Sequence, residues 1–322
     1  MSSPSPSTAI NRPDLGATME QIDLDASRNG FVGLRLMPVA EVAEQSADVG
    51  KIPVAELLRD LDTKRASTGA YGRSEFTFGE YFYATVDHGH EVPIDDRLKR
   101  IYRRYFDAEV VATKRARDTV LRAHEKRVCT RLVNTGTFTN AAAGTIWSTH
   151  ASADPVADIL TRKIAVRNAC GLMPNVVAMD WEAFQHCREC DSVIDRLKYS
   201  GFQNPEASKI TAMVLAQVFD VEEVIVAGGQ TNTAARKETQ TLSMGSLWTK
   251  TVVGVGVRAK SIDVQEPSVG RTYHWSADGS DIGTVVETYR DERTRGDVVR
   301  ARFDVDERVH YAECWQLITG AL

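Results

Sequence analysis

Two cysteines three residues apart, Cys187-Arg-Glu-Cys190, offer residue types that could carry redox or metal chemistry. A redox pair wants its first thiol at a helix N-terminus, where the dipole favours the thiolate. Here Asp180 is placed to cap a helix running through Trp181, Phe184, Cys187 and Ile194, so both thiols fall inside the helix. His186 and Cys190 can share a helix face, with a remote His or Cys completing a metal set, yet no second cysteine pair lies at finger spacing. The simpler reading is small buried thiols in an apolar stripe. His88-Gly-His90 has metal-binding groups in a loop beside Pro93 without an evident third ligand, and reads as a solvated turn. Val226-Ala-Gly-Gly229 ends a strand in glycine but lacks the phosphate-cradling spacings and opens no helix. Neither G-x-S-x-G nor H-E-x-x-H occurs. The expectation is a non-enzymatic chain with no catalytic residue, no metal ligand set and no cofactor.

Charge and aromatics make the other candidate sites. Between Arg97 and Asn134 there are 12 Lys or Arg against four acidic residues. Val110, Val111, Val120, Leu121, Val128 and Leu132 recur at helical intervals, predicting a helix from about Asp107 to Asn134, roughly 40 Å long at ~1.5 Å per residue. Its basic face carries Arg103, Arg104, Lys114, Arg115, Arg122 and Lys126. That face could be solvated with i,i+4 pairs such as Asp118–Arg122, could meet an acidic neighbouring subunit, or could meet a polyanionic nucleic acid. Before it, residues 74–87 have strong β propensity. On a strand, Phe76, Phe78 and Phe82 would share one side and Tyr81 and Tyr83 the other. Such a strand sits deep in the chain's own core or is covered by another subunit.

The remaining pattern must position these groups. Residues 1–30 are polar and read as an arm, and residues 31–38 as a strand ended by Pro38. Asp95-Asp96 caps a helix, Asp154-Pro155 starts another that Gly171 ends, and residues 174–180 form a buried strand. Residues 206–219 read as a helix, 223–229 as a strand, 230–246 as a loop and 247–257 as β again. A hairpin joins residues 284–289 to 298–305, with Val299, Ala301, Phe303 and Val305 on its buried face. Helices and strands mix without regular βαβ alternation, so the fold class is α+β. With 322 residues, 43% of them hydrophobic, there is material for a sizeable core. A net charge of −5 argues against a dedicated nucleic-acid binder, five cysteines suggest reduced thiols, and neither a secretory leader nor a membrane span is visible.

The order of these segments resembles the major capsid protein of tailed bacteriophages, the Hong Kong 97-type capsid fold. The likeness is carried by Phe31-Val-Gly-Leu-Arg-Leu-Met-Pro38 and by Tyr81-Phe-Tyr-Ala-Thr-Val-Asp-His-Gly-His-Glu-Val-Pro-Ile-Asp95. It continues through Trp147, Asp154-Pro-Val-Ala-Asp-Ile159, Gly171-Leu-Met-Pro-Asn-Val-Val-Ala-Met-Asp-Trp181, the helix before Phe219 with the strand after it, and the ending from Tyr289 to Asp306. The resemblance implies an N-terminal arm (1–50), an extended β-hairpin loop (51–95), a peripheral domain with a long spine helix (96–174 and 279–322) and an axial domain (175–278). It also implies hexamers and pentamers closing into an icosahedral virion shell assembled in the bacterial cytoplasm. That shell would contact packaged double-stranded DNA nonspecifically and work with portal, scaffolding and decoration proteins, without a membrane. Phe76, Phe78, Tyr81, Phe82 and Tyr83 would then be inter-subunit loop contacts. The stretch from Thr68 to Asp96 has no lysine for the loop crosslink some members make, and no long acidic scaffolding segment precedes residue 30. An encapsulin-like compartment keeps the fold with another role, and a small metal- or thiol-dependent α/β enzyme using Cys187, Cys190 and His186 is the alternative from a different class.

Overall fold

The computed structural model describes residues 10–11 and 30–322, apart from 62, 66, 68, 76, 103–106, 200–208, 235–242, 262, 264–265, 278 and 280–284. Its first half runs β1 (Ile10–Asn11), α1 (Gly33–Leu36), β2 (Val39–Val42), β3 (Ser46–Lys51), α2 (Val54–Leu57), β4 (Gly79–Ala84), β5 (Val86–Asp95), α3 (Asp96–Tyr102) and α4 (Ala108–Leu132). Then come β6 (Asn140–Ala142), α5 (Pro155–Cys170), β7 (Val176–Asp180), α6 (Trp181–Glu189), α7 (Asp191–Tyr199) and α8 (Ala212–Phe219). The chain closes with β8 (Glu223–Ala227), β9 (Gln230–Asn232), β10 (Met244–Ser246), β11 (Val252–Gly256), β12 (Gly270–Trp275), β13 (Val286–Asp291), β14 (Gly296–Val309) and β15 (Trp315–Thr319).

Two sheets organise the molecule. In the first, the 14-residue β14 is the spine. β13 and β12 pair in succession along one of its edges, and β5 along the other. The buried face predicted for β14 is present, with Val299, Ala301, Phe303 and Val305 buried and all but Val299 packed with Ala116 and Val120 of α4, but Asp304 on the opposite face is buried as well. β5 contains Pro93, which a one-sided edge strand tolerates because its missing N–H removes no ladder bond on the free side.

The second sheet runs β6-β15-β11-β7-β8 and is covered on both faces. Every residue of β7 is buried, as a doubly covered strand requires. Val177, Met179, Val253 and Val255 face the helices α5–α8, whereas Val176, Ala178, Trp315 and Leu317 face the C-terminal end of α4. Glycines at 254 and 256 make room for the Trp315 indole. A Cβ at Gly254 would sit 2.1 Å from the ring, whose Nε1 donates to the Leu132 carbonyl at 3.1 Å.

Several local expectations hold. Asp154 caps α5 and Gly171 ends it at a φ of 72°, and α4 starts where expected, with Asp107 found to cap it. Others change. The expected strand over 31–38 is instead the one-turn helix α1 at Gly33–Leu36, whose start the buried Glu125 carboxylate holds by accepting from the Val32 and Gly33 amides at 2.9 and 2.7 Å. A Cβ on Gly33 would lie 2.7 Å from that carboxylate. The β character over 74–87 settles into β4 and β5 with Thr85 between them, and residue 76 lies outside the described residues. His88 and His90 sit in β5, not in a loop. The helix after Asp180 stops at Glu189, and Cys190 adopts extended backbone before α7. The helix expected over 206–219 is described from Ala212, where Thr211 caps it. Residues 230–246 contain the antiparallel pair β9–β10 instead of loop alone. On α4, Val111 is exposed, and on α6 Trp181 is 56% exposed, so neither belongs to its predicted apolar stripe.

Candidate assembly surfaces: the hairpin and the long helix

β3 and β4 pair antiparallel from Ser46↔Ala84 to Lys51↔Gly79, so residues 52–78 form one long excursion between paired ends. Alternation along β4 divides its aromatics between two environments. Tyr83 is buried and stacks on Tyr273 of β12, with centroids 4.6 Å apart and planes 11° from parallel. Tyr81 stacks on His310 at 4.5 Å, and its hydroxyl lies 2.6 Å from that of Tyr273, which in turn lies 2.8 Å from His310 Nε2. Burial pushes the Tyr273 hydroxyl above its ordinary range. It pushes His310 down to about 3, with Arg271 and Lys51 adding to the effect, so this cluster is neutral at physiological pH. Backbone bonds complete the root. Lys51 Nζ donates to the His310 carbonyl at 2.7 Å, Tyr311 Oη to the Ile52 carbonyl at 3.0 Å and Tyr83 Oη to the Glu44 carbonyl at 3.1 Å.

The opposite side is bare. Phe78 is 72% exposed and Phe82 52%, and Leu61 and Tyr71 on the same excursion are also exposed. The aromatics therefore divide: Tyr81 and Tyr83 lie against their own chain, and Phe78 and Phe82 face outward. Leu61 and Tyr71 escape a strand-based reading because they lie in the excursion, where no periodicity marks a face.

On α4 the charges also divide. Lys114, Arg115 and Lys126 are exposed, Arg122 pairs with Asp118 at 2.6 Å, and Arg103 and Arg104 lie outside the described residues. The inward face carries polar residues that helical periodicity does not reveal. Arg117, His124 and Glu125 are each 2% exposed. Glu125 also accepts from Trp248 Nε1 at 2.6 Å, and burial raises its carboxyl above the usual range against the pull of its three donors. Glu307 of β14 accepts from Arg127 at 3.0 Å and lies 3.5 Å from His124, whose imidazole burial lowers to about 4. These groups tie the long helix to α1 and to β14.

The Cys190 thiol is held apart from the His186 ring. Cys187 and Cys190 are both buried, and burial raises both, Cys190 to about 12 with help from Asp191 and Asp154. Cys190 Sγ donates to the carbonyls of His186 and Trp147 rather than joining the His186 ring. That ring instead faces His150, with Nδ1 3.0 Å from His150 Nε2, and Glu189 lies alongside. His150 has no sequence signal linking it to His186, since 36 residues separate them.

No family model matches the chain. A major capsid protein of Burkholderia phage BcepMu is 28% identical over 203 residues, covering 61% of this chain and 63% of that relative. The match thus spans under two thirds of that protein's length. A solved phage-related protein from Bordetella bronchiseptica RB50 superposes with a TM-score of 0.67 at 22% identity over 97% of this chain and 98% of that one. The capsid structure of cyanophage P-SCSP1u gives 0.57 at 10% identity over 88% and 86%. The encapsulin of Synechococcus elongatus PCC 7942 gives 0.51 at 11% identity over 89% and 86%. The chain is similar in sequence to a phage major capsid protein and has the Hong Kong 97-type fold of the tailed-phage capsid proteins.

Proposed function

We propose that this chain is the major capsid subunit of a tailed phage, a structural protein that assembles as hexamers and pentamers into an icosahedral head around double-stranded DNA. The observation that carries this reading is the divided hairpin. Its root is bolted to the subunit through Tyr81, Tyr83, Tyr273 and His310, and its outward side leaves Phe78 and Phe82 in water. Rings exposed on an anchored projection are stabilised only when another surface covers them. Sequence-level support comes from the 28% identity to a phage major capsid protein. In this reading the subunit lies in the virion shell after assembly in the host cytoplasm, with portal, scaffolding and decoration proteins as partners. The first sheet with α4 would serve as the peripheral domain and the second sheet with α5–α8 as the axial domain. The exposed Lys114, Arg115 and Lys126 would meet DNA phosphates without reading sequence.

An encapsulin-like shell shares the fold, so the contents of the particle separate the two roles. Expressed with its neighbouring genes, the chain should form shells holding nuclease-protected DNA. Shells that hold a folded protein cargo and no DNA would replace the phage reading with the compartment one.

A further inference from the structure

We infer that His150, His186 and Glu189 form a binding site for a divalent transition-metal ion of the zinc class. One ligand atom from each, two imidazole nitrogens and a carboxylate oxygen, lies within 4.8 Å of the other two. His150 Nε2 is 3.0 Å from His186 Nδ1 and 3.5 Å from Glu189 Oε2. Ligands bound tetrahedrally at ~2.0–2.1 Å are separated by roughly 3.3–3.4 Å, so these spacings bracket what a zinc ion imposes. Two imidazoles with one carboxylate favour zinc, cobalt or nickel over magnesium or calcium, which prefer all-oxygen sets.

The site is built by the backbone. His186 and Glu189 are three residues apart on α6 and therefore share a face. His150 arrives on a loop tied to the corner between α6 and α7 by three bonds. Asp191 N donates to the His150 carbonyl at 3.1 Å, Ser192 Oγ to the Ala153 carbonyl at 3.2 Å and Cys190 Sγ to the Trp147 carbonyl at 3.5 Å. The buried Trp147 anchors the same loop through Nε1 to Asp158 at 3.0 Å. The two rings already stack, with centroids 5.3 Å apart. Both histidines are half-buried and Glu189 is exposed, which leaves a path for the ion and an outer position for water. A bound ion would clamp the loop to the α6–α7 corner, a structural cross-tie with no reaction attached.

The test uses the full-length chain without a histidine tag, stripped with chelator and titrated with zinc chloride by calorimetry, then with cobalt chloride in the visible range. The expected result is one zinc per chain and the d–d absorption of tetrahedral cobalt. Affinity should fall about 10-fold or more in His150→Ala, His186→Ala and Glu189→Gln, and stay unchanged in Cys187→Ser. Zinc should also raise the melting temperature of the wild type but not of the variants. Glu189→Gln alters an exposed side chain, so it keeps the test valid should a histidine variant fold poorly. A chain that binds no zinc at micromolar concentration, or whose binding survives all three substitutions, overturns the site.

Discussion

Replacing Phe78 and Phe82 together with Ser separates assembly from folding. A phenylalanine buries ~150–250 Å² when covered, and these two are 72% and 52% exposed in the subunit. A neighbour that covers them therefore removes about 250 Å² of ring surface from water, worth about 6 kcal/mol at ~25 cal/mol per Å². Ordering the loop at the contact costs part of this. If half survives, about 3 kcal/mol is lost per contact in the double variant, and each weakens roughly 100-fold. The assay is the threshold protein concentration for particle formation, read by light scattering, beside urea denaturation of the unassembled subunit. The threshold should rise by about two orders of magnitude or move beyond reach. Because both rings already face water, subunit stability should change by no more than ~0.5 kcal/mol. An unchanged threshold refutes the interface argument, and a subunit destabilised by several kcal/mol shows that the rings serve the chain's own core.

Glu125→Ala should destabilise the subunit by about 3–5 kcal/mol, because it leaves the Val32 and Gly33 amides and the Trp248 indole without their acceptor; fluorescence-detected urea melts would check this. The His310 imidazole, held down to about 3, gives an acid-sensitive hairpin root. Its folded value lies below the unfolded ~6.5, so its stabilisation is full above that pH and is lost as pH falls towards 3, up to about 3 kcal/mol by pH 4. His310→Gln should flatten the fall in stability between pH 6.5 and 4, measured by urea midpoints at each pH.

Elements whose partners are local were legible in the sequence. Apolar spacing announces α4, the Asp154 cap announces α5, and the β13–β14 hairpin shows its buried face at Val299, Ala301, Phe303 and Val305. Long-range partners hid the rest. β12 carries Arg271, Thr272 and His274, polar types without a local burial signal, yet all three are buried between β14 and β2. Glu125 looks like one more helix charge until Val32, some 93 residues earlier in the chain, brings its amide to it. The same limit applies to the candidate sites. Composition exposes the aromatic run but not which rings Tyr273 and His310 will claim. It exposes Cys187 and Cys190 but not the break at Cys190 that leaves His186 facing His150.

A capsid subunit builds shells. The most direct measurement is the size and shape of the particles formed by the purified chain, with and without a scaffolding protein, by negative-stain microscopy with light scattering. Closed shells, or rings of five and six subunits, are the predicted result. A folded monomer or dimer that stays so under crowding and with scaffold present would contradict it.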